Sequence, residues 1–421
     1  MARDVLAILL FSDESVASSC LLKVLGDTAV SRLIRQLSKF GADGFTVISN
    51  IRSRRVEEEI SRILERNPDL KLLNVDEARS ISWKKVAVIP ANLVSDSETV
   101  RKLMSLSEGL VLSSSAESAG KSNGQEVRSG TELFLFASLE GQSGIALEIL
   151  EGNMGANDIV KAIVSVGLKR VRPQELSSYS PAMKTLFEPF FLLLGPNTSI
   201  YEVEQALVKR VQKGKHLTSL MNKPIEDFLS LRAARLGVTP GQMTILSNVL
   251  AYSAAMSMLL NQVVLSVSLM LITCIVDGLD GKIARLRSME SNFGSLEHSF
   301  DFLYEQVWYG SYVWYLFVGL RENIWLALGI CALVVDAFVR HLYNQFRITA
   351  GIALTDSSPT AKLVAKFDGR RNMYVIYILV GLLFNTPALG LVLMASHASL
   401  TALLYLTLAR SYLCRSAQTA R

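Results

Sequence analysis

The amino-acid sequence predicts two unlike parts in one chain: an α/β domain built on a parallel sheet, then an all-α membrane domain with six transmembrane helices. Three observations carry this reading. Half of the 421 residues are hydrophobic and only 19% are charged, less charge than a soluble two-domain chain usually holds. The apolar excess is uneven: charged and apolar residues are mixed up to about Lys215, whereas long apolar runs dominate after Val238. Within the first part, strand-like and helix-like segments alternate, the pattern of a parallel sheet covered by helices on both faces.

Taken in order, residues 5–11 form a strand-like apolar run, too short and without the cleavage-site pattern of a signal peptide, and are expected to be a buried first strand. Residues 29–40 have helical spacing, with Val30, Leu33, Ile34 and Leu37 on one face. Residues 45–49 read as a strand, 54–66 as a charged amphipathic helix, and 71–74 and 85–89 as further strands. The Ser- and Gly-rich stretch 113–130 reads as a loop, and the domain is expected to close near Pro196, giving a unit over 1–196. The four cysteines (Cys20, Cys274, Cys331 and Cys414) are scattered without a CxxC pair, which argues against a structural zinc site and a disulfide framework. A reducing, cytosol-facing domain is the simpler expectation.

Residues 197–238 read as a basic, mostly helical juxtamembrane linker carrying Lys209, Arg210, Lys213, Lys215, Lys223, Arg232 and Arg235. They form either a solvated linker or a helix lying on an anionic membrane face. Six apolar segments follow within 239–415: 243–260, 263–283, 300–320, 324–339, 375–384 and 389–408. Several fall short of the roughly 20 residues of a full span. The formal net charge is +5, but placement matters more than the total. The loops near Asn261 and Thr386 carry no Lys or Arg, and the one near Arg321 carries one. The opposite side collects Lys282, Arg285, Arg287, Arg340, Arg347, Lys362, Lys366, Arg370, Arg371, Arg410 and Arg415. That asymmetry places both termini and the first domain in the cytoplasm of a multi-pass integral membrane protein.

The chemistry concentrates in IVDGLDGKIARLRSMESNFGSLEHSFD, residues 275–301. Asp277 and Asp280 share a helical face, and Glu297 and Asp301 share another at the start of the next apolar run. Gly278 and Gly281 permit close approach of a ligand or helix. Carboxylates at a bilayer are costly, about 2.5–3.5 kcal/mol each on insertion scales, and four together would repel. Divalent cations such as Mg²⁺ or Mn²⁺ relieve both problems and usually share their shell with substrate phosphates. The plain alternative is two helix ends in water.

The spacing Asp277-x2-Asp280-Gly281-x2-Ala284-Arg285-x8-Gly294 resembles the first part of the CDP-alcohol phosphotransferase signature, Asp-x2-Asp-Gly-x2-Ala-Arg-x8-Gly-x3-Asp-x3-Asp. Upstream, Thr239-Pro240-Gly241-Gln242-Met243-Thr244 is similar to that family's Thr-Pro-Asn-x-x-Thr segment before its first span. The signature's third Asp falls on His298. A one-residue deletion in the turn instead aligns Glu297 with the third Asp and Asp301 with the fourth, and this reading is preferred. The resemblance implies that Asp277, Asp280 and Glu297, completed by Asp301, hold Mg²⁺ or Mn²⁺, and that Asp301 is the general base. It implies that Thr244, Asp277, Gly278, Gly281, Ala284 and Arg285 bind the CDP group. The implied partners are a CDP-alcohol donor, a polyol or polyol-phosphate acceptor, the lipid bilayer and a second copy of the chain in a homodimer, with no nucleic acid.

Residues 21–26 and 41–48 resemble the opening of sugar-nucleotidyltransferase domains. The phosphate-binding Gly-rich loop of that family would fall at 12–20, which holds neither Gly nor a basic residue. Its Lys-Pro reads Ser19-Cys20, and its metal-binding Asp falls near Asn92. The first domain is therefore expected to keep the fold without the catalysis. The two-part architecture resembles the fused inositol-phosphate cytidylyltransferase / di-myo-inositol-phosphate phosphate synthase proteins. In Phe367-Asp368-Gly369-Arg370-Arg371, the resemblance implies that Arg370 and Arg371 bind an acceptor phosphate. The donor, a soluble CDP-inositol or a lipid CDP-diacylglycerol, stays open. A non-catalytic membrane scaffold is the competing class, and a transporter ranks last because the ionisable groups sit at helix ends rather than at mid-membrane.

Overall fold

The computed structural model describes residues 3–49, 53–66, 71–114, 128–129, 132–141, 143–151, 154–180, 185–211, 217–289 and 297–419. The chain divides into two compact units. The first holds Met1–Gln212, Leu231–Gly237 and Ile283–Met289, and the second holds Lys213–Ser230, Val238–Lys282 and Glu290–Arg421.

The first unit begins with β1 (Arg3–Phe11), α1 (Glu14–Ser19), the short pair β2 (Lys23–Val24) and β3 (Asp27–Thr28), and α2 (Ala29–Lys39). It continues through β4 (Gly44–Ser49), α3 (Arg54–Arg66), α4 (Val75–Arg79), β5 (Trp83–Pro90), β6 (Leu93–Ser95) and α5 (Ser97–Ser105). Then come β7 (Gly109–Ser114), β8 (Arg128–Ser129), β9 (Glu132–Glu140), α6 (Gly144–Leu150), α7 (Ala156–Ser165) and β10 (Arg170–Val171). The short strands β11 (Ser178–Ser180), β12 (Thr185–Phe187) and β13 (Phe191–Leu193) lead to α8 (Ile200–Arg210).

The main sheet has the order β10-β7-β9-β5-β1-β4, with β8 on β9. The apolar run of β1 lies at its heart: Leu6 to Leu10 are fully buried between parallel neighbours β4 and β5, as a strand covered on both faces should be. The expected all-parallel sheet is corrected at one place. β9 runs antiparallel to both β5 and β7, and no helix separates β7 from β9 among the described residues to provide a parallel crossover. The strand expected at 71–74 is a single bridge, Phe45 to Leu72. Of the loop expected at 113–130, residues 115–127 and 130 lie outside the described residues. The stretch 12–20 is not a loop but helix α1, whose Asp13 side chain accepts from the Val16 amide at 2.9 Å.

The second unit is helical. Its members are most of α9 (Leu217–Arg235), then α10 (Pro240–Leu259), α11 (Val263–Arg287), α12 (Glu297–Leu320), α13 (Asn323–Ala350), α14 (Pro359–Val364), α15 (Arg371–Leu383) and α16 (Pro387–Thr419). Each of the six apolar segments of the sequence is a helix here. Thr239 explains where α10 starts: its hydroxyl accepts from the Gln242 amide (3.3 Å), while Gln242 accepts from the Thr239 amide (2.9 Å), a capping box with Pro240 at the first helical position. Left-handed residues Asn261, Arg321 and Asn385 make the tight turns after α10, α12 and α15. Among the described residues, three helices are long and apolar enough to cross a membrane: Val263–Arg287, Asn323–Ala350 and Pro387–Cys414. α15 is apolar but shorter, and α12 carries Asp301 and Glu305 within its length. The core of this unit is aromatic, with Tyr304, Trp308, Tyr309, Tyr312 and Tyr374 all at most 1% exposed.

The stretch 197–238 is not one element. α8 and Leu231–Gly237 belong to the first unit, and 213–230 to the second. Two of its cations are already engaged: Arg210 with Asp96 (3.3 Å) and Arg235 with the buried Glu204. Lys213 and Lys215 lie outside the described residues. Gly26 joins this framework tightly. Its φ is +87°, and a Cβ there would lie 2.9 Å from the carbonyl oxygens of both Ala234 and Arg235. Gly26→Ala is therefore expected to destabilise the chain by about 2 kcal/mol, read as a lowered midpoint in thermal unfolding followed by circular dichroism.

Candidate functional site

In the helical unit the polar groups gather around α11. Asp277 sits where the apolar run of that helix ends. Its Oδ1 accepts from the Tyr304 hydroxyl at 2.8 Å, and its Oδ2 accepts from the Arg371 guanidinium. Arg371 also donates to the Tyr304 oxygen, lies over the Tyr304 ring at 5.4 Å, and approaches Glu305 at 3.5 Å. Glu305 is held a second time by Arg340, which reaches Asp336 at 3.4 Å, and Gln306 donates to that same Asp336 at 2.8 Å. One network thus links α11, α12, α13 and α15.

Asp280 is one helical turn further on and 4% exposed. Thr244, near the start of α10, donates its hydroxyl to Asp280 at 3.0 Å, so the capping box that fixes the start of α10 also fixes this donor. On the adjoining face Glu226 of α9 lies against Gly278, where an added Cβ would stand 3.1 Å from the Glu226 Oε1. A side chain at 278 would thus press on the Glu226 carboxylate. Lys282 neutralises that side, with its ammonium 2.8 Å from Glu226 and 2.9 Å from Asp227. Gly281 follows Asp280 and gives it its amide.

Asp301 lies one turn before Glu305 and interacts electrostatically with both Arg340 and Arg371. Arg370 grips Asp368 with two nitrogens, at 2.6 and 2.8 Å, and Tyr405 donates to the same carboxylate. Ala284 and Arg285 lie on the final turns of α11, where Arg285 Nε donates to the Val211 carbonyl at 2.9 Å. Glu297 opens α12, but its side chain, that of His298, and Gly294 lie outside the described residues. Among the described residues no group of three His, Cys, Asp or Glu side chains is close enough to hold a metal ion. The four-carboxylate convergence expected from the sequence is thus not seen among them. Asp277 and Asp280 point to different partners, because Arg371 and Thr244 each take one.

The network is nevertheless acidic. In the network around Arg340 and Arg371, the carboxylates Asp277, Asp301, Glu305 and Asp336 outnumber the two guanidiniums. Hard carboxylate oxygens on a helix end suit a divalent ion chemically. Sequence reasoning missed Tyr304, Glu305, Asp336, Arg340, Glu226 and Lys282. The signal available was Asp336, an ionisable group inside the apolar segment 324–339, with Arg340 four residues on, just past its end.

The family model described as CDP-alcohol phosphatidyltransferase matches residues 237–409. Among solved structures, the phosphatidylinositol phosphate synthase PgsA1 of Mycobacterium tuberculosis with CDP-DAG bound is 17% identical, with 44% of this chain and 94% of that one covered and a TM-score of 0.37. The inositol-1-phosphate CTP transferase from T. maritima is 10% identical, with 48% of this chain and 95% of that one covered and a TM-score of 0.32. No curated protein matches the sequence.

The buried Lys282 leads to an expected outcome. Lys282→Ala leaves Glu226 and Asp227 facing each other without their cation, and removing one partner of a buried ion pair costs roughly 3–5 kcal/mol. The variant should unfold at a clearly lower temperature in detergent, and Glu226→Gln in the same background should recover part of the loss.

Proposed function

Residues 237–409 form a CDP-alcohol phosphatidyltransferase domain, which makes the chain a transferase, and from that premise we propose that it moves a phospho-alcohol from a CDP-alcohol to an acceptor hydroxyl and releases CMP. The observation that carries this is the pair Asp277 and Asp280 on one continuous helix, each tied to a separate donor from a neighbouring helix. In this reading the six helices α10, α11, α12, α13, α15 and α16 all span the bilayer, with both termini and the first unit in the cytoplasm, in keeping with the Lys and Arg asymmetry of the loops.

Asp301 takes the proton of the acceptor hydroxyl. The acceptor oxygen then bonds to the β-phosphorus of the donor, the bond from that phosphorus to the bridging oxygen breaks, and CMP leaves with the electron pair. Asp277, Asp280 and Glu297, with Asp301 beside them, would hold Mg²⁺ or Mn²⁺, which when bound compensates the charge on the leaving phosphate. Thr244 orients Asp280, and Tyr304 orients Asp277. Gly278, Gly281, Ala284 and Arg285 are the proposed CDP contacts. Of the two proposed acceptor cations, Arg370 is held by Asp368 and leaves 47% of its side chain exposed, whereas Arg371 is held by Asp277, Tyr304 and Glu305, so an acceptor phosphate would meet Arg370 first and share Arg371 with the carboxylates. An inositol-phosphate acceptor, as in a di-myo-inositol-phosphate phosphate synthase, fits those cations. A phospholipid synthase using CDP-diacylglycerol is the competing donor class within the same chemistry.

The test is CMP release by the purified protein in detergent with Mg²⁺ or Mn²⁺, offered CDP-inositol with inositol phosphate and, separately, CDP-diacylglycerol with small polyols. One donor should yield CMP, and Asp277→Asn should lower the rate by more than about a hundredfold, as should chelation of the metal. Glu297→Ala should abolish release while His298→Ala retains it, and the reverse pattern would overturn the assignment of Glu297. Silence with every donor from folded protein that also binds no Mn²⁺ would sink the proposal.

A further inference from the structure

The C-terminal end of α11 lies in the first unit, together with α2. The last carbonyls of any helix lack intrahelical partners and form the negative end of its dipole. Here α2 supplies the partners. The Arg32 guanidinium donates to the Leu286 carbonyl, and Arg35 donates to the Arg287 carbonyl at 3.1 Å. Gln36 donates to the Ser288 hydroxyl at 2.9 Å, which also pairs with Ser97 at 2.6 Å. Residues 32, 35 and 36 share one face of α2, so three adjacent residues at the end of α11 meet three side chains in register. Arg35 and Arg287 are further joined by Asp27, at 3.0 and 3.3 Å.

The backbone at this point is unusual. Ser288 has φ +56°, and the Met289 amide donates to the Ala284 carbonyl at 3.0 Å, closing a Schellman-type turn. Glycine normally takes that left-handed position. A buried serine holds it only where its surroundings over-determine the conformation. Gln36, 1% exposed, and Ser97 are those surroundings, and Arg32, 3% exposed, braces the carbonyl two residues before.

We propose that α2 is a built-in cap for α11, and that Arg32, Arg35 and Gln36 are positioning residues that fix the helix carrying Asp277 and Asp280. The first unit, whose 12–20 stretch has neither Gly nor a basic residue, then serves the proposed transfer by holding the end of the helix on which that reaction rests. The inference rests on the proposed function for its kinetic arm and on the structure alone for its exchange arm.

The experiment uses the full-length protein in detergent, with amide hydrogen exchange over 277–289 measured beside CMP release. Gln36→Ala/Ser97→Ala should speed exchange in this segment about tenfold and lower kcat about tenfold, with the donor KM changed less; each tenfold change is about 1.4 kcal/mol. Adding Ser288→Gly should restore both, because glycine adopts positive φ without side-chain support. Faster exchange with unchanged kcat would overturn the positioning role. So would a loss that Ser288→Gly does not restore, since it would arise elsewhere. If the wild-type chain released no CMP, the functional reading would fall separately. Exchange would still decide the cap: it is upheld if the segment loosens and is rescued, and overturned if protection at 277–289 does not change.

Discussion

A carboxylate set among apolar helices is unfavourable by several kcal/mol unless a partner arrives from another helix, and the helical unit is organised around meeting that requirement for Asp277. The guanidinium of Arg371 comes from the start of α15 and the hydroxyl of Tyr304 from α12. Because Arg371 also faces Glu305, and Glu305 is bound by Arg340, the ion pair draws α13 into the same network. Four helices are thereby linked by polar contacts whose geometry is directional, while Tyr304, Trp308 and Tyr312 are among the largest fully buried side chains of the core. Tyr304 belongs to both systems, with its ring in the core and its hydroxyl in the network.

The same helix answers to a second constraint at its other end. α11 leaves the helical unit near Lys282, and its last turn is held in the first unit by residues of α2. Lys282 stands at the change-over, buried between Glu226 and Asp227. Within the helical unit, movement of α11 along or about its axis would break contacts at Asp277, Asp280 and Lys282 together. In the proposed reaction such fixity matters, since misplacement of reacting groups by about 1 Å can cost a hundredfold in rate.

The sequence by itself determined most of the fold. The apolar run of β1, the face formed by Val30, Leu33, Ile34 and Leu37, and the six apolar segments all follow from periodicity, which is a local property of the chain. The start of α10 was equally legible, because a capping box is encoded within four residues. Asp277 and Asp280 stood out for the same reason: their spacing and their place at the end of an apolar run need no tertiary information. What only the tertiary structure decided is who meets them. The Arg371–Asp277 pair joins residues 94 positions apart, and the Gln36–Ser288 bond joins residues 252 apart. The antiparallel course of β9 is likewise set by neighbouring strands rather than by local pattern. A side chain's sequence fixes its chemistry and its helical face, but its partner depends on how helices from distant parts of the chain are brought side by side.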